Sequence, residues 1–338
     1  MDVPPGHEQG SSNKVCQLKK ALYSLKQSLR AWFERLSRVV KRYGYFQRHS
    51  DHTMFYKSTD EGKIIVLIVY VDDMILTGND HVEIESLKIL AKELEVKDLG
   101  ALRYFLGMEI ARNKNEISVS QRKYTLDFLK ETGMLGCNPS DIPINSRHKI
   151  DPAEKGDLVE KGRYQRLIGK LIYLSHTRLD IAFVVSTISL YMHSPYEAHM
   201  NAIYKILQYL KGIPRKGLHV GQHDQFKIKA FMDADWAGSI EDRRSTSSYC
   251  TFVFGNLVTW RSKKQNVVAR SSAEVEFRFI AHGICEVLWI KRVLEELKIT
   301  IHPPAMMYCD NKAAISISHN PVHHDRTKHV EVDRHFIK

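Results

Sequence analysis

The side chains of this chain best placed for chemistry are acids set where apolar runs stop. Asp72 and Asp73 interrupt the stretch IIVLIVYVDDMILTG, residues 64–78. The preceding run Ile64–Tyr70 is apolar and mostly β-branched, and it reads as a fully buried strand. Met74 to Thr77 resume that character before Gly78, so the expected form is a hairpin whose bend holds the two acids at a sheet edge. Adjacent carboxylates repel each other unless a cation lies between them, which points to a divalent metal. Asp is also a common turn residue, and that simpler reading stays open for this pair. A second set lies in the last third: Asp233-Ala234-Asp235 at the end of an alternating strand, Glu274 and Glu276 at the start of an apolar-periodic segment, and Asp310-Asn311 after a short strand.

The elements that must carry these acids follow from spacing. Lys227, Lys229 and Phe231 alternate with Ile228, Ala230 and Met232, as a two-faced strand does. Residues 248–254 and 257–261 flank Gly255-Asn256, a link suited to a tight hairpin. Ser271-Ser272-Ala273-Glu274 has the form of a capping box, and Phe277, Ile280, Ala281, Ile284, Val287 and Leu288 continue at helical spacing. Residues 305–309 read as a strand running into a helix at Lys312-Ala313-Ala314-Ile315. Strand, strand, strand, helix, strand, helix is the resulting order. Acids delivered to one rim from separate elements suit a divalent cation. Asp310 could instead cap the following helix. Asp233-Ala234-Asp235 also has the DxD form of some sugar-transferring enzymes, a string too short to decide anything. His319, His323, His324, His329 and His335 lack zinc-ligand spacing.

Upstream, Leu18, Leu22, Leu25, Leu29, Trp32 and Leu36 form one apolar stripe with Lys and Arg off it. Residues 81–94 read as a helix with Asn79 and Asp80 available as caps, 104–110 as a strand, and 121–129 as the start of a helical segment. Pro139, Pro143 and Pro152 mark a boundary. Residues 164–210 are mostly helical, and Gly212, Pro214, Gly217 and Gly221 mark a second boundary near 224.

At 338 residues, the chain has room for two or three domains. Lys and Arg total 50 against 39 Asp and Glu, a net charge of +11, so a polyanion is the expected partner. The 5 cysteines lack C-x-x-C spacing and read as reduced thiols. The first ten residues have no apolar core of a signal peptide, and the run at 64–71 is shorter than the roughly 20 residues that span a bilayer. A soluble protein without membrane contact is expected.

Tyr70-Val71-Asp72-Asp73 in its apolar frame resembles the catalytic hairpin of reverse transcriptases, and the wording around it resembles the copia-type (Ty1/copia) retrotransposon Pol polyprotein from about the first residue to the last. Leu22-Tyr23-Ser24-Leu25-Lys26-Gln27-Ser28-Leu29-Arg30-Ala31-Trp32 is similar to that family's LYGLKQ-(A/S)-PRAW element, with Ser24 in place of Gly and Leu29 in place of Pro. FMDADWAG, DRRSTSSY, WRSKKQ, VARSSAEVEF, MYCDNKAAI and RTKHVEVDRHFIK resemble copia-type ribonuclease H.

The resemblance implies an α/β (α+β) chain in three parts. Residues 1–145 would be a partial reverse-transcriptase palm and thumb lacking the first catalytic strand, 146–223 a helical connection, and 224–338 a ribonuclease H-like domain, cut short at its end, with a mixed five-stranded sheet and flanking helices. It implies catalytic and metal-holding roles for Asp233, Glu276 rather than Glu274, Asp310 and Glu331, with Asp333 the alternative fourth acid, and for Asp72 and Asp73 in the polymerase part. Mg²⁺, or Mn²⁺ in its place, would be the cofactor. RNA/DNA hybrid, RNA template and DNA primer would be the partners, with a homo-oligomer or association with other parts of the polyprotein as further assemblies. A virus-like particle in the cytoplasm, or the nucleus, would be the location. The expected reaction is hydrolysis of the RNA strand of a hybrid, and polymerisation by this chain alone is not expected. The rival is a catalytically dead nucleic-acid-binding relic of a decayed element.

Overall fold

The computed structural model describes residues 27–59, 61–93, 96–144, 156–223, 225–239 and 241–319. Glu331, Asp333, the four histidines from His323 onward, Cys16 and residues 22–26 of the Leu22–Trp32 motif lie outside them. Packing divides the chain into Met1–Gly100 and Ala101–Lys338.

The first unit contains α1 (Ser28–Arg42), β1 (Phe46–Gln47), β2 (Met54–Ser58), β3 (Ile64–Tyr70), β4 (Asp73–Gly78) and α2 (His81–Glu93). Its strands pair antiparallel in the order β1-β2-β3-β4. Leu36, Val39 and Val40 of α1 and Leu87 of α2 share a core with Phe55, Ile65, Leu67 and Val69. Only alternate residues of β3 are buried, whereas the sequence reads as buried on both faces. The physical reason is that an antiparallel strand presents successive side chains to opposite faces, and the core is built on one of them. Asp80 caps α2, its Oδ1 accepting from the N–H groups of Val82 (3.1 Å) and Glu83 (3.2 Å). Asn79 accepts instead from the Ile64 N–H (2.7 Å), closing the hairpin base.

The second unit opens with β5 (Tyr104–Phe105), β6 (Met108–Arg112), β7 (Glu116–Ser120) and α3 (Arg122–Glu131). Residues 104–110 are therefore not one strand. Leu106 (φ 47°) and Gly107 (φ 78°) make a tight turn between β5 and β6, because two successive left-handed residues match the twist of a two-residue hairpin. Three helices follow, α4 (Lys161–Leu174), α5 (Leu179–Ser189) and α6 (Glu197–Gly212), and then β8 (Gly217–Gly221). β8 pairs with β7 and completes the sheet β5-β6-β7-β8, while Phe128 and Leu129 of α3 share a core with Leu167, Leu171, Ile188 and Leu207. Residues on both sides of the expected boundary at 145 thus build common layers.

Arg178 is 1% exposed, and its charge is met locally. Its Nε and Nη2 donate to Asp180 (2.9 and 2.8 Å), and its Nη1 donates to the Ile213 carbonyl (3.2 Å). Tyr209 donates to the same carboxylate (2.7 Å), and Lys216 lies 3.4 Å from it. The start of α5 is thereby tied to the end of α6 and the turn into β8.

The last part contains β9 (Ile228–Asp235), β10 (Thr246–Val253), β11 (Asn256–Lys264), α7 (Ser272–Glu296), β12 (Met306–Tyr308) and α8 (Lys312–His319). The sheet order is β11-β10-β9-β12, with β12 parallel to β9 and the other pairs antiparallel. This is the ribonuclease H-like mixed sheet, with four strands among the described residues where five are expected. The β10–β11 turn is Phe254-Gly255 (φ 53° and 81°), one residue earlier than the expected Gly255-Asn256, and Asn256 pairs with Val253. Ile228, Ala230 and Met232 face α7, where Val287 and Ile290 pack near one end and Phe277 and Ile280 near the other. On the far edge, the Trp260 indole N–H donates to the Ser175 carbonyl (3.0 Å), and the Ser186 hydroxyl donates to the Ser262 carbonyl (2.8 Å). Among the described residues no helix is long and apolar enough to cross a membrane.

The Arg178–Asp180 cluster yields a stability test. Burial alone would raise the Asp180 pKa, but hydrogen bonds from Arg178 and Tyr209 and the charges of Arg178 and Lys216 outweigh it and hold the group at about 2. A depressed carboxylate pKa stabilises the fold above the unfolded value and loses that contribution as pH falls toward the folded one. Asp180→Asn is expected to cost about 2 kcal/mol at neutral pH. Urea unfolding should show the gap to the parent closing between pH 4 and pH 2; a gap that does not change with pH would contradict the assignment.

Candidate metal centre

β9 and β12 run parallel with Phe231 opposite Tyr308, so both strands deliver the residues that follow to the same end of the sheet. Two positions after that pair come Asp233 and Asp310. Phe231 and Tyr308 stack with ring centroids 4.7 Å apart on the face away from α7, each 41% exposed. By alternation Asp233 falls on that face as well, and Asp310, two positions beyond the end of β12, is exposed like it.

The third acid comes from α7. Ser271 caps this helix, its hydroxyl accepting from the Glu274 N–H (3.2 Å). The carboxylate of Glu274 accepts from the Arg270 N–H (2.8 Å) and pairs with Arg278 (2.8 Å). Glu274 is thus occupied at the helix end, and Glu276, two residues on, is the acid that turns toward β9. It is 3% exposed. One of its oxygens accepts from the Ala234 N–H (2.8 Å) and the other from the Cys309 thiol (3.6 Å).

Asp233, Glu276 and Asp310 each offer an oxygen such that all three atoms lie within 4.8 Å of one another. Asp310 does not cap α8. That role falls to Asn311, whose Oδ1 accepts from the Ala314 N–H (3.0 Å), leaving the Asp310 carboxylate free to face the other two. At such separations each like-charged pair repels by about 1–3 kcal/mol, depending on how much water intervenes. The cost appears in Glu276, whose pKa is raised, first by burial and then by the charges of Asp233 and Asp310, against the lowering effect of the Ala234 and Cys309 hydrogen bonds. Three hard oxygen donors with no cationic side chain among them fit Mg²⁺ or Mn²⁺.

Asp72 and Asp73 are placed differently. They sit in the first unit, where Val71 and Asp72 form the two-residue turn between β3 and β4 and Asp73 pairs with Tyr70. Both acids are exposed, and Val71 takes φ 52°, an unusual value for a β-branched residue. The hairpin is the expected one, but no third acid joins the pair among the described residues. Cys309 and the Ala234 N–H are contributors that the sequence does not flag. Cys309 lies in the MYCDNKAAI motif at the position alternate to Asp310, and only the α7 contact reveals its use.

A family model described as reverse transcriptase (RNA-dependent DNA polymerase) matches residues 1–146. Over its whole length the chain is 39% identical to the retrovirus-related Pol polyprotein from transposon RE1 of Arabidopsis thaliana and 38% identical to that from transposon RE2 of the same plant, covering 23% of each. It is 35% identical to the retrovirus-related Pol polyprotein from transposon TNT 1-94 of Nicotiana tabacum, covering 26% of it. The chain therefore spans about a quarter of the length of these relatives. A reverse-transcriptase match at the acid-tipped hairpin and similarity running on through the three-acid rim identify this chain as a member of the copia-type retrotransposon Pol polyprotein family.

Proposed function

We propose that the last part of the chain is a ribonuclease H that hydrolyses the RNA strand of an RNA/DNA hybrid with Mg²⁺. The observation that carries this reading is the approach of Asp233, Glu276 and Asp310 to within 4.8 Å from a strand, a helix and the end of a parallel strand. These three carboxylates would hold the divalent ions, with Glu331 as the fourth acid. Bound there, the ions supply activation of water and neutralisation of charge on the leaving oxygen. The protein's own part is positional. The Ala234 N–H and the Cys309 thiol fix the two oxygens of Glu276, so this ligand loses little freedom when it binds. Asp233 and Asp310 remain solvent-facing and can follow the ions as the scissile phosphate enters.

For the polymerase part the reading is narrower. Asp72 and Asp73 would supply two carboxylates toward a divalent ion, and in-line nucleotidyl transfer needs another from a separate strand. RNA template and DNA primer are the partners that this reading assigns to residues 1–146.

Purified chain with Mg²⁺ should cleave the RNA of a labelled hybrid, and Asp310→Asn should slow this by on the order of a hundredfold or more. Equal turnover by both proteins, or none by either, would leave a nucleic-acid-binding relic as the better description. Without divalent ion, Glu276→Gln should be at least as stable as the parent at pH 7. A raised carboxylate pKa favours the fold below the unfolded value, near 4.5, and costs stability as pH rises through the folded value. The advantage of Glu276→Gln should therefore vanish on acidification below that point. Thermal unfolding with added Mg²⁺ should stabilise the parent and not Glu276→Gln, and an equal upward shift in both would argue against ligation by this acid.

A further inference from the structure

Away from the acidic rim, the second unit has a concave notch of about 540 Å³ where α3 begins and α6 turns into β8. Its lining is Arg122, Leu126, Ile213, Pro214, Arg215 and Lys216 with Gly212. The arrangement follows from strand register. Ser120, the last residue of β7, is opposite Gly217, the first of β8, so Arg122 and Arg215 flank the same end of the sheet from two chain segments. The strands approach closely there: a Cβ on Gly217 would lie 2.1 Å from the Val119 carbonyl oxygen. The turn is also held from behind by the Arg178 guanidinium, which donates to the Ile213 carbonyl.

Two of the three cationic side chains that line this notch are not spent internally. Lys216 reaches Asp180 at 3.4 Å, but among the described residues neither Arg122 nor Arg215 is in an ion pair. Segments 121–124 and 211–216 contain Arg122, Lys123, Lys211, Arg215 and Lys216 and no acid. Cations brought together on a fixed turn repel one another and are stabilised by an anion. Guanidinium groups match phosphate oxygens in pairs, and the apolar floor of Leu126, Ile213 and Pro214 suits the sugar beside a phosphodiester better than a solvated inorganic ion. We propose that this notch is a phosphate-binding site for a nucleic-acid strand, with Arg122 and Arg215 holding a phosphodiester and Lys216 at the rim. It would anchor the strand by its backbone without reading its sequence.

The test is fluorescence anisotropy of a labelled RNA/DNA hybrid with the full chain in EDTA, over a range of salt, so that binding is measured apart from any cleavage. Arg122→Ala with Arg215→Ala should weaken binding by about tenfold or more at moderate salt and lower the slope of log affinity against log salt by roughly two. The double variant Lys291→Ala/Arg292→Ala on α7 removes the same charge elsewhere and should leave the slope nearly unchanged. Equal losses in the two double variants would overturn the site, since only the overall field would then be acting. Competition by free nucleoside triphosphate at concentrations that leave Arg215→Ala unaffected would also overturn it, by assigning the notch to a nucleotide. Circular dichroism checks the fold; should Arg122→Ala unfold the chain, Arg215→Ala alone decides, and a loss of less than about twofold counts against the proposal.

Discussion

The parallel pairing of β12 with β9 is the constraint on which the rest of the last part depends. Antiparallel neighbours would send the residues after Phe231 and Tyr308 to opposite ends of the sheet, and Asp233 and Asp310 could not meet. A slip of one residue in β12 would turn Asp310 toward α7 and Cys309 outward. The register is secured on both faces. Met307 packs among the α7 side chains, and Tyr308 stacks on Phe231 on the other face.

Around that pairing the chain separates duties that neighbouring residues might have shared. Glu274 serves the helix end and Glu276 the rim. Asn311 serves the next helix end and Asp310 the rim. In each case a polar residue close by in sequence satisfies the backbone, so the acid keeps its charge available. The repulsion that remains is a cost that a divalent cation bound among the three acids would relieve.

Much of this was legible in the residues themselves. The strand ending in Asp233-Ala234-Asp235, the S-x-x-E start of α7 and the acid-tipped hairpin at Asp72 all follow from local spacing. What was not legible depended on distant partners or on single-residue turn geometry. Residues 104–110 look like a continuous strand until Leu106 and Gly107 adopt positive φ. Residues 177–181 fall in a stretch that reads only as mostly helical, yet Arg178 is a buried cation that donates to Asp180 and to the distant Ile213 carbonyl, while Tyr209 of α6 donates to the same Asp180 carboxylate. Cys309 has no spacing signal, because its partner is on a helix more than thirty residues earlier in the chain. The one-sided burial of β3 is not legible either, because composition does not tell which face of an antiparallel sheet receives helices.

The latch of Trp260 to Ser175 and Ser186 to Ser262 bears on how the last part could exist by itself. β11 is the outermost strand of its sheet, and unpaired carbonyls on such a border invite another polypeptide to add on. Here the Ser262 carbonyl is engaged by a hydroxyl from α5, and the indole of the same strand is anchored to the end of α4. Severed from those helices, the sheet would present a sticky margin that α5 and the end of α4 here keep engaged.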